Sequence, residues 1–98
     1  MKKQEKKVKE AAAIKYNPQD NAPKVVALGK GLVAENIIKV AEENKVPIYN
    51  DPETAHLLNL LQIGDEIPPE LYEVIARILI FVSDLDRLKE EMGKSGRI

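Results

Sequence analysis

Between Lys24 and Glu43 the spacing of apolar residues changes period once. Lys24 to Leu28 reads Lys-Val-Val-Ala-Leu. This nearly continuous apolar run with a β-branched pair is the pattern of a central strand covered on both faces. Gly29 and Gly31 follow and permit a close turn. From Leu32 to Glu43 the apolar residues are Leu32, Val33, Ala34, Ile37, Ile38, Val40 and Ala41. They recur at helical spacing, and Glu35, Asn36, Lys39, Glu42 and Glu43 fall mostly outside their stripe. Asn44-Lys45 ends that helix. Val46-Pro47-Ile48-Tyr49 then reads as a short strand, whose proline suits an edge or a strand start.

Upstream, Ala11 to Tyr16 is alanine-rich, which favours helix. Ile14 and Tyr16 favour a strand, and Asn17-Pro18 stops either; a strand is the reading taken. Asn17 to Asn21 is turn chemistry. Downstream, Asp51-Pro52 is a helix start, an acidic N-cap followed by proline at the first helical position. Ala55, Leu57, Leu58, Leu60 and Leu61 follow on that helix. Gln62 to Glu66 reads as a linker, and Pro68-Pro69-Glu70 opens the last and longest helix. Its stripe is Leu71, Tyr72, Val74, Ile75, Ile78, Leu79 and Val82, continued more thinly by Leu85, Leu88 and Met92.

The predicted order is β-β-α-β-α-α, an α/β fold with a small mixed sheet packed by helices. The first two strands, joined by a short turn, form an antiparallel hairpin. A right-handed crossover makes the strands at 24–28 and 46–49 parallel if they share a sheet. Three regions follow: a lysine-rich N-terminal arm at 1–10, one domain at 11–83, and a charged helix end and tail at 84–98, which projects from the domain or frays.

Composition narrows the function. Ninety-eight residues suffice for one small core. The chain is 44% hydrophobic and 32% charged, hence globular rather than disordered. A net charge of −1 argues against a dedicated nucleic-acid binder. The absence of cysteine removes disulfides, thiol chemistry and cysteine-based zinc sites. The longest apolar run, Ile78 to Val82, is too short to span a bilayer. No apolar segment follows the N-terminal lysines as in a signal peptide, so the expected location is cytoplasmic. The arm itself has two readings: a solvated chain end, or a weak basic contact for an acidic partner or anionic lipid.

Candidate chemistry is sparse. His56 is the single histidine, and the serines, Ser83 and Ser95, lie far along the chain. An acid–base site needs converging groups, so an enzyme built on Asp20, His56 or a carboxylate cluster is the weakest reading. No catalytic residue, metal ligand or cofactor is assigned. Gly29-Lys30-Gly31 lacks the spacing and the following Lys-Ser/Thr of a phosphate loop. Asn17-Pro18 is the one reactive pair, since an asparagine amide can attack its own carbonyl and cleave the chain. Its plain reading is a turn.

Ala22-Pro23-Lys24-Val25-Val26-Ala27, Gly29 with Gly31-Leu32, Val46-Pro47-Ile48-Tyr49, and Ile67-Pro68 with Leu71-Tyr72 stand in an order that resembles the cytoplasmic C-terminal domain of the FlhB family, the export-switch proteins of flagella and type III secretion. The resemblance covers roughly Ala11 to Val82. It implies a non-catalytic component or regulator of export that binds export substrates or apparatus proteins. The family's self-cleaving Asn-Pro-Thr-His motif precedes the strand matched here by Ala11 to Tyr16. The equivalent positions, Lys6 to Lys9, read Lys-Lys-Val-Lys, so the motif is absent, and Asn17-Pro18 lies on the wrong side of the strand to replace it.

The resemblance also implies a substrate-binding apolar patch at Ala22, Pro23, Ala76 and Leu79. A plainer reading puts Ala76 and Leu79 in the core. The family's membrane-embedded part and first strand have no counterpart, so the chain looks like a free-standing homologue with an open sheet edge. That edge suggests blunting by the lysine arm, a homodimer, or strand addition that completes a truncated FlhB. Another alternative is a cytoplasmic competitor that sequesters substrates. Membrane contact is expected to be peripheral at most, and no nucleic-acid partner is expected.

Overall fold

The computed structural model describes residues 8–95, with side chains described through Ser83. The expectations for residues 1–7, including most of the lysine-rich arm, lie outside the described residues. The elements are β1 (Glu10–Lys15), β2 (Lys24–Lys30), α1 (Leu32–Glu43), α2 (Pro52–Leu58) and α3 (Tyr72–Ser95), with a short 3-10 turn, Pro69–Leu71, leading into α3. The α/β class holds, and α1 has the bounds its periodicity predicts.

β1 and β2 pair antiparallel, with Ala11 opposite Gly29, Ala12 opposite Leu28 and Ala13 opposite Ala27. The register then slips, and Ile14 lies opposite Val25. Val26 is thus the extra residue of a β-bulge, which resets the alternation of faces. Without the slip, Val25 and Leu28, three residues apart, would lie on opposite faces. With it, both share the face of Ala12 and Ile14, and Val26 turns out to 48% exposure. Val25 is fully buried and joins Leu58, Ile67 and Ile75 in the core; Ala12, Ile14, Leu28, Leu61, Leu71, Val74, Ile78 and Leu79 pack around them.

The other face of the ribbon carries Ala11, Ala13, Ala27 and Gly29, and α1 packs on both strands. Small residues let the helix come close. A Cβ on Gly29 would meet Val33 Cγ1 at 2.5 Å, Ile37 Cδ1 at 2.9 Å and the backbone nitrogen of Ala34, itself fully buried, at 3.0 Å.

The outer edge of β2 is also occupied. Val25 N donates to Asp65 O (2.9 Å), Gly64 N donates to Val25 O (2.7 Å), and Ile67 N donates to Pro23 O (2.8 Å). The stretch read as a linker therefore serves as an edge partner. Gly64, at φ 97°, makes the turn that brings it there.

The expected third strand at Val46 to Tyr49 is not formed, so the sheet among the described residues is a two-stranded antiparallel ribbon rather than a mixed one. The reason lies in the end of α1. Val46 N donates to Ala41 O (2.8 Å) and Lys45 N donates to Glu42 O (3.2 Å), a Schellman closure with Lys45 at φ 60°. The Val46 donor is spent on the helix, and Pro47 has none. The parallel crossover pairing is absent with it. Tyr49 instead packs edge-on against Phe81 of α3, ring centroids 5.0 Å apart.

Two predictions follow from this packing. Gly29→Ala forces its methyl into Val33 and the α1 backbone, an overpacking expected to cost about 1–3 kcal/mol in urea unfolding. Lys45→Gly relieves a side chain held at positive φ, and thermal unfolding is expected to show a gain of up to about 1 kcal/mol.

Candidate functional site

The turn between the strands is built by Asn17. Its carbonyl accepts from Asp20 N (2.8 Å) and its side-chain Oδ1 accepts from Gln19 N (3.1 Å). This is an Asx turn, so the Asn17 side chain has a structural task. The chain then returns through Ala22, which is 2% exposed, and Pro23, whose carbonyl is held by Ile67 N.

Opposite this return lies one face of α3. An open groove of about 610 Å³ runs between them. Tyr16, Asn21, Ala22 and Pro23 form one side; Tyr72, Ala76, Leu79, Ile80 and Ser83 form the other, with buried Ile75 beneath. The α3 residues recur at three- and four-residue steps along about three helical turns. None of these ten residues is charged, in a chain that is 32% charged.

The four residues of the expected patch, Ala22, Pro23, Ala76 and Leu79, all line this groove. They differ in burial: Ala22 is buried, Pro23 half-buried, and Ala76 exposed. Leu79 is half-buried and also packs against the core. The alternative that Ala76 is core is thereby corrected. Ile75, its neighbour, takes the inward position at 1% exposure. Sequence reading missed Tyr16, Asn21, Tyr72, Ile80 and Ser83. Tyr72, Ile80 and Ser83 were within reach, because they share a helix face with Ala76 by spacing alone.

The polar candidates do not converge. His56 Nδ1 lies 2.8 Å from Glu10 Oε2, at the start of β1, whereas Asp20 sits in the turn beyond the end of that strand. Asn59 Nδ2 donates to Ala11 O (3.2 Å), which gives α2 a second tie to β1. Among the described residues no group of three His, Asp or Glu side chains could hold a metal ion. The one clear electrostatic shift is structural. Asp51 caps α2: Thr54 Oγ1 donates to its Oδ2 (2.7 Å) and Thr54 N to its Oδ1 (3.2 Å). The Thr54 hydroxyl, then the Thr54 backbone N–H, hold this carboxyl below its ordinary value of 3.8 against a partial desolvation that opposes them.

This ribbon, flanked by helices and bearing a charge-free groove, is a small α/β domain. Comparison with known proteins gives its family. Residues 8–82 match the family described as FlhB, HrpN, YscU and SpaS, and the chain belongs to that family. It is 44% identical over 85 residues to the uncharacterized protein YlqH of Bacillus subtilis, a match covering 86% of this chain and 91% of that protein. It is 43% identical over 74 residues to the flagellar biosynthetic protein FlhB of Aquifex aeolicus, and 40% over 86 residues to that of Escherichia coli. These matches cover 74% and 86% of this chain but only 21% and 22% of the two FlhB proteins. Two crystal structures of mutated EscU C-terminal domains are similar, with TM-scores of 0.71 and 0.73 at 26% identity. They cover 76% and 78% of this chain and 92% and 94% of the EscU chains. The family is the export-switch family of flagellar and type III secretion systems. Among the described residues no helix is long and apolar enough to cross a membrane.

The capping carboxylate gives a pH-dependent prediction. Because its folded pKa is depressed, Asp51 contributes stability that is complete above its ordinary value and is lost as pH falls through the lowered folded value. Asp51→Ala should therefore cost about 1 kcal/mol at neutral pH. The gap between variant and parent should close below about pH 4, as followed by urea unfolding across pH.

Proposed function

We propose that this chain is a non-catalytic component or regulator of flagellar or type III protein export, and that its groove receives apolar segments of export substrates or apparatus proteins. The observation that carries this reading is the uncharged groove shared by Ala22, Pro23, Ala76 and Leu79. Exposed Ala76 leaves a shallow place between larger neighbours, Tyr72 and Ile80, where an apolar side chain can sit. Charged residues are disfavoured there, because burial in such a groove would strip their hydration without supplying a partner. On this reading the protein works in the cytoplasm, touches membrane peripherally at most, and either assists full-length FlhB or competes with it by sequestering substrates.

A second reading has its own observation. The sheet has two strands, and β1 has no backbone partner on its outer side among the described residues. The protein then acts by strand addition, with a second copy or a strand of a truncated FlhB as the two candidate occupants.

The groove reading is tested with Ala76→Trp, which fills the shallow place from a solvent-facing position. Calorimetry with a purified early hook or rod protein should show binding to the parent chain and at least about a tenfold loss in the variant, while the unfolding midpoint shifts by less than the equivalent of about 0.5 kcal/mol. Equal affinity in both chains would remove the groove from the mechanism.

A further inference from the structure

The backbone of β1 alternates in direction. Gly31 N donates to Lys9 O (2.7 Å), so Lys9 faces β2, and by the antiparallel alternation Ala11 and Ala13 do too. Val25, opposite Ile14, sends both its N–H and its C=O away from β1, to Asp65 and Gly64. The same alternation therefore aims the N–H and C=O of Glu10, Ala12 and Ile14 outward, away from β2. These three residues span about 14 Å. No backbone partner meets them among the described residues, in contrast to β2, whose outer edge is covered by Gly64 to Ile67.

The charges beside this edge select its occupant. Lys9 and Lys15 flank the three residues, and both are exposed. Neither forms an ion pair among the described residues, where the salt bridges are His56–Glu10 and Arg77–Glu73. A second copy fits poorly. The antiparallel register that pairs all three outward residues sets Ala12 against Ala12 of the other copy, and it brings Lys9 opposite Lys15 at both ends. Like charges directly opposite are destabilising.

We propose that the outer edge of β1 takes an extended strand from a different chain, apolar at alternate positions and acidic at both ends. The strand continues the ladder through Glu10, Ala12 and Ile14 while its terminal carboxylates meet Lys9 and Lys15. This rests on the strand-addition reading above and is independent of the groove.

The probe is the peptide acetyl-Glu-Val-Thr-Val-Thr-Val-Glu-amide, added to the full chain and followed by NMR amide exchange and calorimetry. The free chain should be monomeric in sedimentation, with the Ala12 and Ile14 amides exchanging readily. At about ten times its Kd the peptide should slow both about tenfold. The same peptide with lysine at both ends should bind about tenfold more weakly at low salt, and Ala76→Trp should leave peptide affinity unchanged. Protection of Ala12 and Ile14 in the free chain, equal affinity for the two peptides, or no binding by either would overturn the proposal. Loss of peptide binding in Ala76→Trp would relocate the site to the groove. If the peptide binds the edge but no export component binds the chain, the acceptor stands and the export role falls.

Discussion

Everything in this small domain is arranged around Val25. Its side chain is fully buried between the ribbon and two helices, and its backbone is bonded outward to the turn at Gly64 and Asp65. A two-stranded ribbon is marginal in water. This one is held because helices cover both faces and an irregular segment covers one edge. The bulge at Val26 makes this arrangement possible, since it puts Val25 and Leu28 on the same side and leaves alanine and glycine (Ala11, Ala13, Ala27 and Gly29) on the opposite side, where α1 packs. One face then admits bulky side chains from α2 and α3, and the other admits the body of α1.

The groove inherits its position from the same constraint. Ala22 and Pro23 immediately precede β2, and the bond from Ile67 to the Pro23 carbonyl fixes them relative to the start of α3. Ile75 is drawn inward to Val25, which leaves Ala76, one residue on, facing out. A helix anchored by one apolar row thus presents an adjacent row to solvent. That adjacent row is apolar without charge, which is unusual for the outside of so charged a chain. Core and candidate binding surface are neighbouring rows of one helix.

The two exposed features differ physically. The groove offers side-chain surface and would discriminate by size and charge. The β1 edge offers backbone groups and would discriminate mainly by the charges at its ends. The chain matches only about a fifth of the length of the FlhB proteins of its family.

The sequence by itself determined α1 to the residue, because a 3.6-residue apolar period opened by Gly29 and Gly31 and closed by Asn44-Lys45 has no competing reading. It also determined the start of α2, through Asp51-Pro52, and the antiparallel hairpin, through the Asn17 turn. These are local signals, settled within a few residues of chain. Four residues of the groove were named from resemblance, and Tyr72, Ile80 and Ser83 were legible as the same helical face. Only the tertiary structure decided the rest. Val46 to Tyr49 has strand composition but no spare donor, because Val46 is claimed by the end of α1. Gln62 to Glu66 has linker composition, yet it pairs with β2 because Gly64 can turn it there. Whether Ala76 packs in the core beside Ile75 or faces solvent depends on the rotation of α3 about its axis, and alanine is small and apolar enough for either place. In each case the outcome depended on which partner reached a backbone group or a helix face first, and that is a property of the assembled chain.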